Sequence, residues 1–195
     1  VIENIKDSTK FPEDQFYFGV NYIPFLNGYF SIKESKLCEY SENSNLLFFY
    51  AIPHEYKEDK IYNCLKFKEI LKEWVVNQES KIIIDDMFEM IGYTMTTDTG
   101  YKSIVINCGP PNTAKTQLAN IIEHTIGEEN SMATSLKRLQ DRFEARFLQW
   151  KILALASDMS DSIINDSSTI KNMTGGDKTN RAEIKGGDIY PFRPT

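Results

Sequence analysis

The chain has 195 residues, of which 41% are hydrophobic and 26% are charged, and this composition excludes an intrinsically disordered chain. Its formal net charge of −6 argues against a surface that is basic throughout, although a local basic patch could still bind nucleic acid. No apolar run approaches the length of a membrane span, and the first residues do not resemble a signal peptide. The three cysteines form no C-x-x-C pair and the two histidines lack ligand-spaced partners, so we expect a reducing, cytoplasmic location and no zinc site.

The first half of the chain predicts a smaller subdomain that mixes strands and helices. Short strands are expected at residues 16–20, 29–32 and 46–51. The Asn27-Gly28 pair favours a tight hairpin turn before the second of these strands. Apolar residues at helical spacing predict a helix over residues 57–78, and a second helix is expected from a cap at Ser80 to a stop at Gly92.

A polar, threonine-rich connector at residues 93–100 is the best candidate for a domain boundary. We therefore predict two domains, residues 1–95 and residues 96–195. The first carries 10 Lys and Arg against 16 Asp and Glu, whereas the second carries 12 of each. Basic residues of the second domain cluster within residues 136–151, where a solvated helix face explains them at least as well as a DNA contact does.

Strands and helices alternate in the second domain. The pattern predicts a strand at residues 102–108, a helix at 116–126 that ends at Gly127, an amphipathic helix at 135–148 and a fully buried strand at 150–156. Such alternation is typical of an α/β fold, in which helices cover both faces of a parallel sheet.

The turn between the first of these strands and its helix carries a phosphate-loop pattern. The pattern G-x-x-x-x-G-K-[ST] is matched, with one departure, by Gly109, Pro110, Pro111, Asn112, Thr113, Ala114, Lys115 and Thr116. We expect Lys115 to neutralise the β- and γ-phosphates of ATP and Thr116 to hold Mg²⁺. The departure is Ala114, where glycine is usual, and it costs on the order of 1 kcal/mol if this position needs a positive φ.

A phosphate loop needs a partner carboxylate that orders Mg²⁺ at the end of a neighbouring strand. Asp158 follows the apolar strand at residues 150–156 and is the first candidate, although an aspartate in this position is also a common helix cap. Asp161 is the alternative candidate and Asp166 is a weaker one.

A β-hairpin with a glycine tip is expected near the end of the chain, where Lys185-Gly-Gly-Asp188 lies between two short β-rich runs. Its lysine could reach a DNA phosphate, but an ordinary surface hairpin explains the pattern as well. The candidate DNA-binding residues of this region are Lys171, Lys178, Arg181 and Lys185.

Together these features resemble one known family. The residues that carry the resemblance are Gly109-Pro-Pro-Asn-Thr113, Arg142-Phe143, Phe147-Leu148, Asp158, Lys171-Asn-Met-Thr-Gly-Gly-Asp177 and, upstream, Ile23-Pro-Phe-Leu-Asn-Gly-Tyr-Phe30. They are similar to the phage/plasmid primase–helicase C-terminal family, which belongs to the superfamily 3 helicases with the poxvirus nucleoside triphosphatase. The resemblance implies an AAA+-like P-loop NTPase fold, preceded by a smaller mixed or helical subdomain.

The resemblance also implies an ATP-dependent replicative DNA helicase of a virus or plasmid, working in the host cytoplasm as a homo-hexameric ring around single-stranded DNA. Lys115 and Thr116 then contact phosphate and Mg²⁺, Asp158 is the Walker B acid, and Lys171 and the hairpin near Lys185 face the DNA channel. The sensor asparagine and the arginine finger of that family are expected beyond Thr195. An alternative is an assembly or DNA-loading module that binds the nucleotide without hydrolysing it, and a small-molecule kinase would need a lid for which we find no sequence.

Overall fold

The computed structural model describes residues 20–41, 46–58, 64–75, 80–135, 138, 145–156, 174, 180–183 and 189–192. The elements in chain order are β1 (Tyr22–Phe25), β2 (Gly28–Ser31), β3 (Lys36–Cys38), α1 (Leu65–Trp74), α2 (Ser80–Thr94), α3 (Lys115–Ile126), β4 (Ser131–Thr134), β5 (Leu153–Ala156), β6 (Asn180–Glu183) and β7 (Ile189–Phe192). Two short 3₁₀ helices span Glu128–Asn130 and Ala145–Leu148. The described residues form a mixed α/β arrangement with three small sheets.

The first sheet is an antiparallel meander in the order β1-β2-β3. Phe25 pairs with Gly28, so Leu26 and Asn27 form the two-residue turn of the hairpin that the sequence predicts. Gly28 has a φ of 152°, and a Cβ atom at this position would collide with the carbonyl oxygen of Cys38. The close approach of β3 therefore requires glycine here.

The strand predicted at residues 29–32 is confirmed as β2, whereas the strand predicted at 46–51 is wrong. The described residues 46–52 form isolated bridges at Leu46 and Ile52 instead of a strand, and Ile52 pairs in parallel with Phe25. Pro24 accepts a hydrogen bond from the Ile52 N–H at 2.8 Å, but it has no N–H of its own to continue a ladder. The strand predicted at 16–20 lies outside the described residues except for its last residue, which lies in a turn.

The helix predicted over residues 57–78 forms only at α1, because residues 57, 58, 64 and 75 are not helical. The second predicted helix is confirmed as α2, and the two helices pack together with the Phe67 and Phe88 rings edge to face at 5.7 Å. Gly92 does not stop α2, contrary to the prediction, because the helix continues to Thr94. Glycine ends a helix when it adopts the left-handed conformation, and Gly92 does not adopt a positive φ. The Thr94 hydroxyl instead donates to the Ile91 carbonyl oxygen at 2.7 Å in the last turn.

The helix predicted before Gly127 is confirmed as α3, and Gly127 ends it with a φ of 99°. The chain then turns into β4, which pairs in parallel with β5 from Ser131 opposite Leu153 to Thr134 opposite Ala156. Parallel pairing follows the prediction, but the strand β4 itself was not predicted. The strand predicted at 150–156 forms only at β5, where Ala154 and Ala156 are exposed rather than buried, because the described part of the sheet has only two strands.

The strand predicted at residues 102–108 is wrong for the structure described here. Residues 102–109 have no regular structure, and Ile104, Val105 and Ile106 are 41%, 57% and 55% exposed. No described strand pairs with this segment, so its β propensity is not realised. The predicted helix at 135–148 lies mostly outside the described residues, and its end at Ala145–Leu148 is a 3₁₀ helix.

The main buried cluster joins both halves of the chain. It contains Tyr50, Ile52, Ile91, Leu118, Ile122, Ile126 and Ile152. At the predicted boundary, the Tyr50 hydroxyl donates a hydrogen bond at 2.8 Å to the carbonyl oxygen of Met95, the last residue of the first predicted domain. The two sides of residue 95 thus share a core, and the division into domains 1–95 and 96–195 stays a prediction.

The hairpin predicted near the end of the chain is confirmed by the antiparallel pairing of β6 with β7. Its last pair joins Glu183 to Ile189, so residues 184–188 connect the strands and lie outside the described residues. β6 lies against the 3₁₀ helix Ala145–Leu148. Among the described residues, no helix has both the length and the apolar character that crossing a bilayer requires.

Candidate phosphate-binding site

The predicted phosphate loop leads directly into the N-terminus of α3. Residues 110–114 form turns and bends, and Ala114 is the N-cap of the helix. No side chain caps this end, and the first turn of α3 holds no acidic residue. The free backbone N–H groups and the positive end of the helix dipole therefore meet no competing anion from the first turn of α3.

The Lys115 side chain folds back over the loop that precedes it. Its ammonium donates hydrogen bonds to the carbonyl oxygens of Gly109 at 2.9 Å and Pro110 at 2.6 Å. A third contact at 3.2 Å joins it to the Thr113 hydroxyl, which itself donates to the Pro110 carbonyl oxygen at 2.8 Å. An ammonium has three N–H donors, so the loop as it stands occupies all of them with neutral acceptors.

A phosphate could replace those neutral acceptors. Hydrogen bonds between an ammonium and an ionised oxygen are roughly twice as strong as those between neutral groups. The loop residues 109–113 are exposed, so an anion can approach Lys115 from solvent. In this structure the Lys115 ammonium is bonded to its own loop. A phosphate that binds there would have to replace the two carbonyl oxygens as its acceptors.

The loop backbone contains two non-glycine residues with positive φ, Asn112 at 62° and Ala114 at 59°. Asparagine tolerates this conformation well, whereas alanine pays about 1 kcal/mol for it. Ala114 thus has the positive φ under which its departure from glycine is costly. Successive N–H groups in turns of this kind form concave anion-binding surfaces.

Thr116 lies exposed in the first turn of α3, one residue after Lys115, where a hydroxyl could ligate Mg²⁺ beside a bound phosphate. A triphosphate with its cation therefore stays a prediction for this loop and helix. The candidate carboxylates Asp158, Asp161 and Asp166 lie outside the described residues.

The candidate DNA-binding residues are placed less completely. The backbone of Arg181 lies in β6 opposite Pro191. The other three candidates, Lys171, Lys178 and Lys185, lie outside the described residues. The structure thus brings the phosphate-loop residues together and leaves the association of the basic residues as a prediction.

Thr113 is one of the predicted loop residues, and its hydroxyl lies 3.2 Å from the Lys115 ammonium. Thr134 is a polar residue that the sequence did not single out. Thr134 is 9% exposed at the carboxyl end of β4, and its hydroxyl has no hydrogen-bond partner among the described residues. Parallel sheets bind ligands beyond the carboxyl ends of their strands, which is where Thr134 lies.

Comparison with known sequences gives one family. Residues 108–195 match a family of unknown function, DUF5906. The matched segment begins immediately before Gly109 and includes α3, the β4–β5 pair and the β6–β7 hairpin. The candidate loop and the hairpin therefore fall within one segment defined by this family. No curated protein matches the chain.

Proposed function

We propose that residues 109–116 bind the triphosphate of ATP and that the chain is the core of a superfamily 3-type DNA helicase that replicates a virus or plasmid. The observation that carries the proposal is the position of Lys115. Its ammonium lies over the loop at an uncapped helix N-terminus and contacts the Gly109 and Pro110 carbonyl oxygens. A lysine, a helix dipole and free N–H groups converging on one exposed loop favour a polyphosphate ligand.

The proposed metal is Mg²⁺, with Thr116 and Asp158 as its protein ligands. Bound there, Mg²⁺ would neutralise charge on the β- and γ-phosphates. The Lys115 ammonium is the second cationic group at the site. The first-turn N–H groups of α3 orient the phosphate oxygens. The proposed fold is a P-loop NTPase, and the parallel β4–β5 pair with α3 between loop and strand supports it.

The proposed macromolecular partner is single-stranded DNA. The β6–β7 hairpin supports this part, because Lys185 lies in the sequence between its two strands. Arg181 lies on the same hairpin, and Lys171 and Lys178 precede it. A homo-hexamer in the host cytoplasm is the assembly that the family resemblance implies.

The test is ATP binding and hydrolysis by Lys115→Ala beside a matched lysine control. Lys72→Ala is suitable, because Lys72 is exposed in α1, away from the loop in sequence. Binding is measured by titrating a fluorescent ATP analogue with Mg²⁺, and hydrolysis by phosphate release with and without single-stranded DNA. We expect Lys115→Ala to lose at least about 10-fold in affinity, the cost of one charge-assisted contact, and Lys72→Ala to lose nothing.

The measured affinities and rates distinguish a helicase core from a chain that has no nucleotide site. Equal affinity of the two variants, or no binding by the wild-type chain at any Mg²⁺ concentration, would reject the nucleotide site. Binding with DNA-stimulated hydrolysis supports the helicase core.

A second candidate function is a module that binds ATP for assembly or DNA loading and does not hydrolyse it. The observation that favours it is Ala114 at the N-cap of α3, because this departure from the usual glycine falls in the loop that would position the phosphates for hydrolysis. Binding without hydrolysis, in the chain and in a longer protein that supplies the flanking residues, distinguishes this module from the helicase.

A further inference from the structure

The β1–β2 hairpin carries a chemically labile pair, with Asn27 in its turn and Gly28 at the start of β2. It is the one Asn-Gly pair in the sequence. The backbone nitrogen of a glycine that follows an asparagine attacks the side-chain carbonyl carbon readily, because glycine has no Cβ atom to hinder the approach. Asn27 is exposed, so water reaches this turn. The hairpin therefore brings together the groups that asparagine deamidation requires.

Both residues of this pair have contacts that other side chains would not make. A Cβ atom on Gly28 would collide with the carbonyl oxygen of Cys38 in β3. The Asn27 amide nitrogen donates a hydrogen bond to the Tyr56 carbonyl oxygen at 2.9 Å, and the Asn27 amide oxygen accepts one from the Tyr56 N–H at 2.9 Å. An asparagine amide supplies this donor and this acceptor side by side, which a carboxylate cannot do. The hairpin thus depends on the labile pair for its own contacts.

The same contacts restrain the reaction. Attack requires the Asn27 side chain to turn over the backbone that follows it, whereas both of its polar atoms are held by Tyr56, 29 positions away. The attacking residue is restrained as well, because Gly28 is buried and paired with Phe25 in the ladder. Deamidation therefore has to wait until the turn opens locally and Asn27 leaves Tyr56.

We propose that Asn27 is a deamidation site that its hydrogen bonds to Tyr56 protect in the folded chain, and that deamidation releases residues 54–56 from the β1–β2 hairpin. Protection and release have one cause, since the amide that reacts is the group that binds Tyr56. This modification is independent of any nucleotide at residues 109–116. The pair acts as a one-way conformational switch, whose setting depends on the age of the chain and on how often the turn opens.

The reaction at Asn27 consumes water and releases ammonia. The Gly28 nitrogen forms a bond to the side-chain carbonyl carbon of Asn27, and the bond from that carbon to the amide nitrogen breaks. Ammonia leaves with the proton of the Gly28 N–H, and a cyclic imide remains. Water then adds to either carbonyl carbon of the imide and opens the ring, which leaves aspartate or isoaspartate at position 27. Because the ammonia is lost to solvent, the original amide does not form again.

Either product loses the paired contact with Tyr56. The carboxylate oxygen that replaces the Asn27 amide nitrogen faces the Tyr56 carbonyl oxygen, and two acceptors in this position repel each other. Isoaspartate also lengthens the backbone of the two-residue turn, which disturbs the register between β1 and β2. A second bond in the same place is weakened with it, namely that from the Leu26 N–H to the His54 carbonyl oxygen at 3.1 Å. Residues 54–56 are therefore freed from the hairpin.

The first experiment compares the deamidation rate of the folded chain with that of a synthetic peptide of residues 24–31. Peptide mapping by mass spectrometry follows the mass increase at Asn27 over several days at mildly alkaline pH. The folded chain should react at least about 10-fold more slowly than the peptide, because its turn must first open. Unfolding the chain in urea should raise its rate to that of the peptide. Equal rates in the folded chain and the peptide would overturn the inference.

The second experiment measures whether the product frees the segment. Asn27→Asp reproduces one product, and amide hydrogen exchange at residues 54–56 should be about 10-fold faster in this variant than in the wild type. Asn107→Asp is the matched control, since Asn107 is also exposed, and it should leave this exchange unchanged. Unchanged exchange in a folded Asn27→Asp variant would reject the release. If that variant does not fold, the wild-type rates decide, because a folded chain that deamidates as fast as the peptide contradicts the protection by Tyr56.

Discussion

The Asn130 side-chain amide donates a hydrogen bond to the carbonyl oxygen of Ala51 at 2.7 Å, across 79 positions of the chain. The same nitrogen donates to the Ile126 carbonyl oxygen at 2.8 Å, in the last turn of α3. Asn130 is 8% exposed, so both bonds are shielded from water. One buried side chain thereby ties the end of α3 to the segment that runs beside β1.

Asn130→Ala should destabilise the chain by about 1–3 kcal/mol, because it leaves the buried Ile126 carbonyl group and the half-buried Ala51 carbonyl group without their donor. The free energy of unfolding from urea titration measures this loss. Asn107→Ala is the control, since Asn107 is exposed and should change the free energy of unfolding by less than about 0.5 kcal/mol. Similar values for the two variants would show that the Asn130 bonds do not contribute to stability.

Ala114→Gly should strengthen both the fold and the loop. Ala114 has a φ of 59°, which costs alanine about 1–2 kcal/mol and glycine almost nothing. Part of that gain is offset by the greater freedom of glycine in the unfolded chain, so we expect a net stabilisation of about 0.5–1 kcal/mol. Under the proposed function, affinity for ATP should rise as well. A fall in stability would mean that the left-handed conformation at this position is not strained.

Substitution of alanine for Gly92 and for Gly28 should change the stability of the chain in opposite directions. Gly92→Ala adds a methyl group to a helical position with nothing within 4 Å, so it should stabilise the chain by about 0.4–1 kcal/mol. Gly28→Ala brings a Cβ atom against the Cys38 carbonyl oxygen and should destabilise it by about 2 kcal/mol. Thermal unfolding of the two variants checks the pair, and a shift of the same sign in both would refute the placement of one of them.

The stability of the chain should depend on Tyr50 at alkaline pH. Burial, with a smaller contribution from the neighbouring Tyr40, raises the pKa of Tyr50 above its usual value. In the unfolded chain this group loses its proton near about pH 10, while the folded chain retains it. Its contribution is therefore fully present below about pH 10 and is lost as the pH rises towards the pKa of the folded state.

Tyr50→Phe removes this dependence at the cost of the hydrogen bond to Met95, about 1 kcal/mol. Between about pH 10 and pH 11 the wild-type free energy of unfolding should fall more steeply than that of the variant, by up to about 1.4 kcal/mol per pH unit. Urea titrations across that range give both slopes. Parallel slopes would mean that the hydroxyl ionises as easily in the folded chain as in the unfolded one.

The features that the sequence predicted well are those that one or two residues dictate locally. Gly127 ends α3 because only its positive φ lets the chain leave the helix towards β4. The Asn27-Gly28 pair located the first hairpin, although the turn itself consists of Leu26 and Asn27 and Gly28 is the first residue of β2. The lysine and the uncapped helix start of the phosphate loop are also encoded locally, which is why the motif could be located before its geometry was known.

The features that the sequence did not reveal depend on distant partners. β4, with the sequence Ser-Met-Ala-Thr, has no apolar alternation and becomes a strand because β5 pairs with it. Residues 103–108 show the converse, since a strongly β-prone run stays irregular when no described strand lies beside it. The bonds of Asn130 to Ala51 and Ile126 follow from packing and leave no pattern in the sequence.

The α3 helix is fastened at one end and open at the other. Near its end, the His124 carbonyl oxygen lies 3.2 Å from the His54 ring, and a Cβ atom on Gly127 would lie 2.9 Å from the Pro53 ring. In its first turn Thr116 is exposed, whereas Leu118 already belongs to the buried cluster. The segment at residues 51–54 also exchanges hydrogen bonds with β1 and the turn that follows it. A substitution that loosens the end of α3 should therefore loosen the β1–β2 hairpin as well.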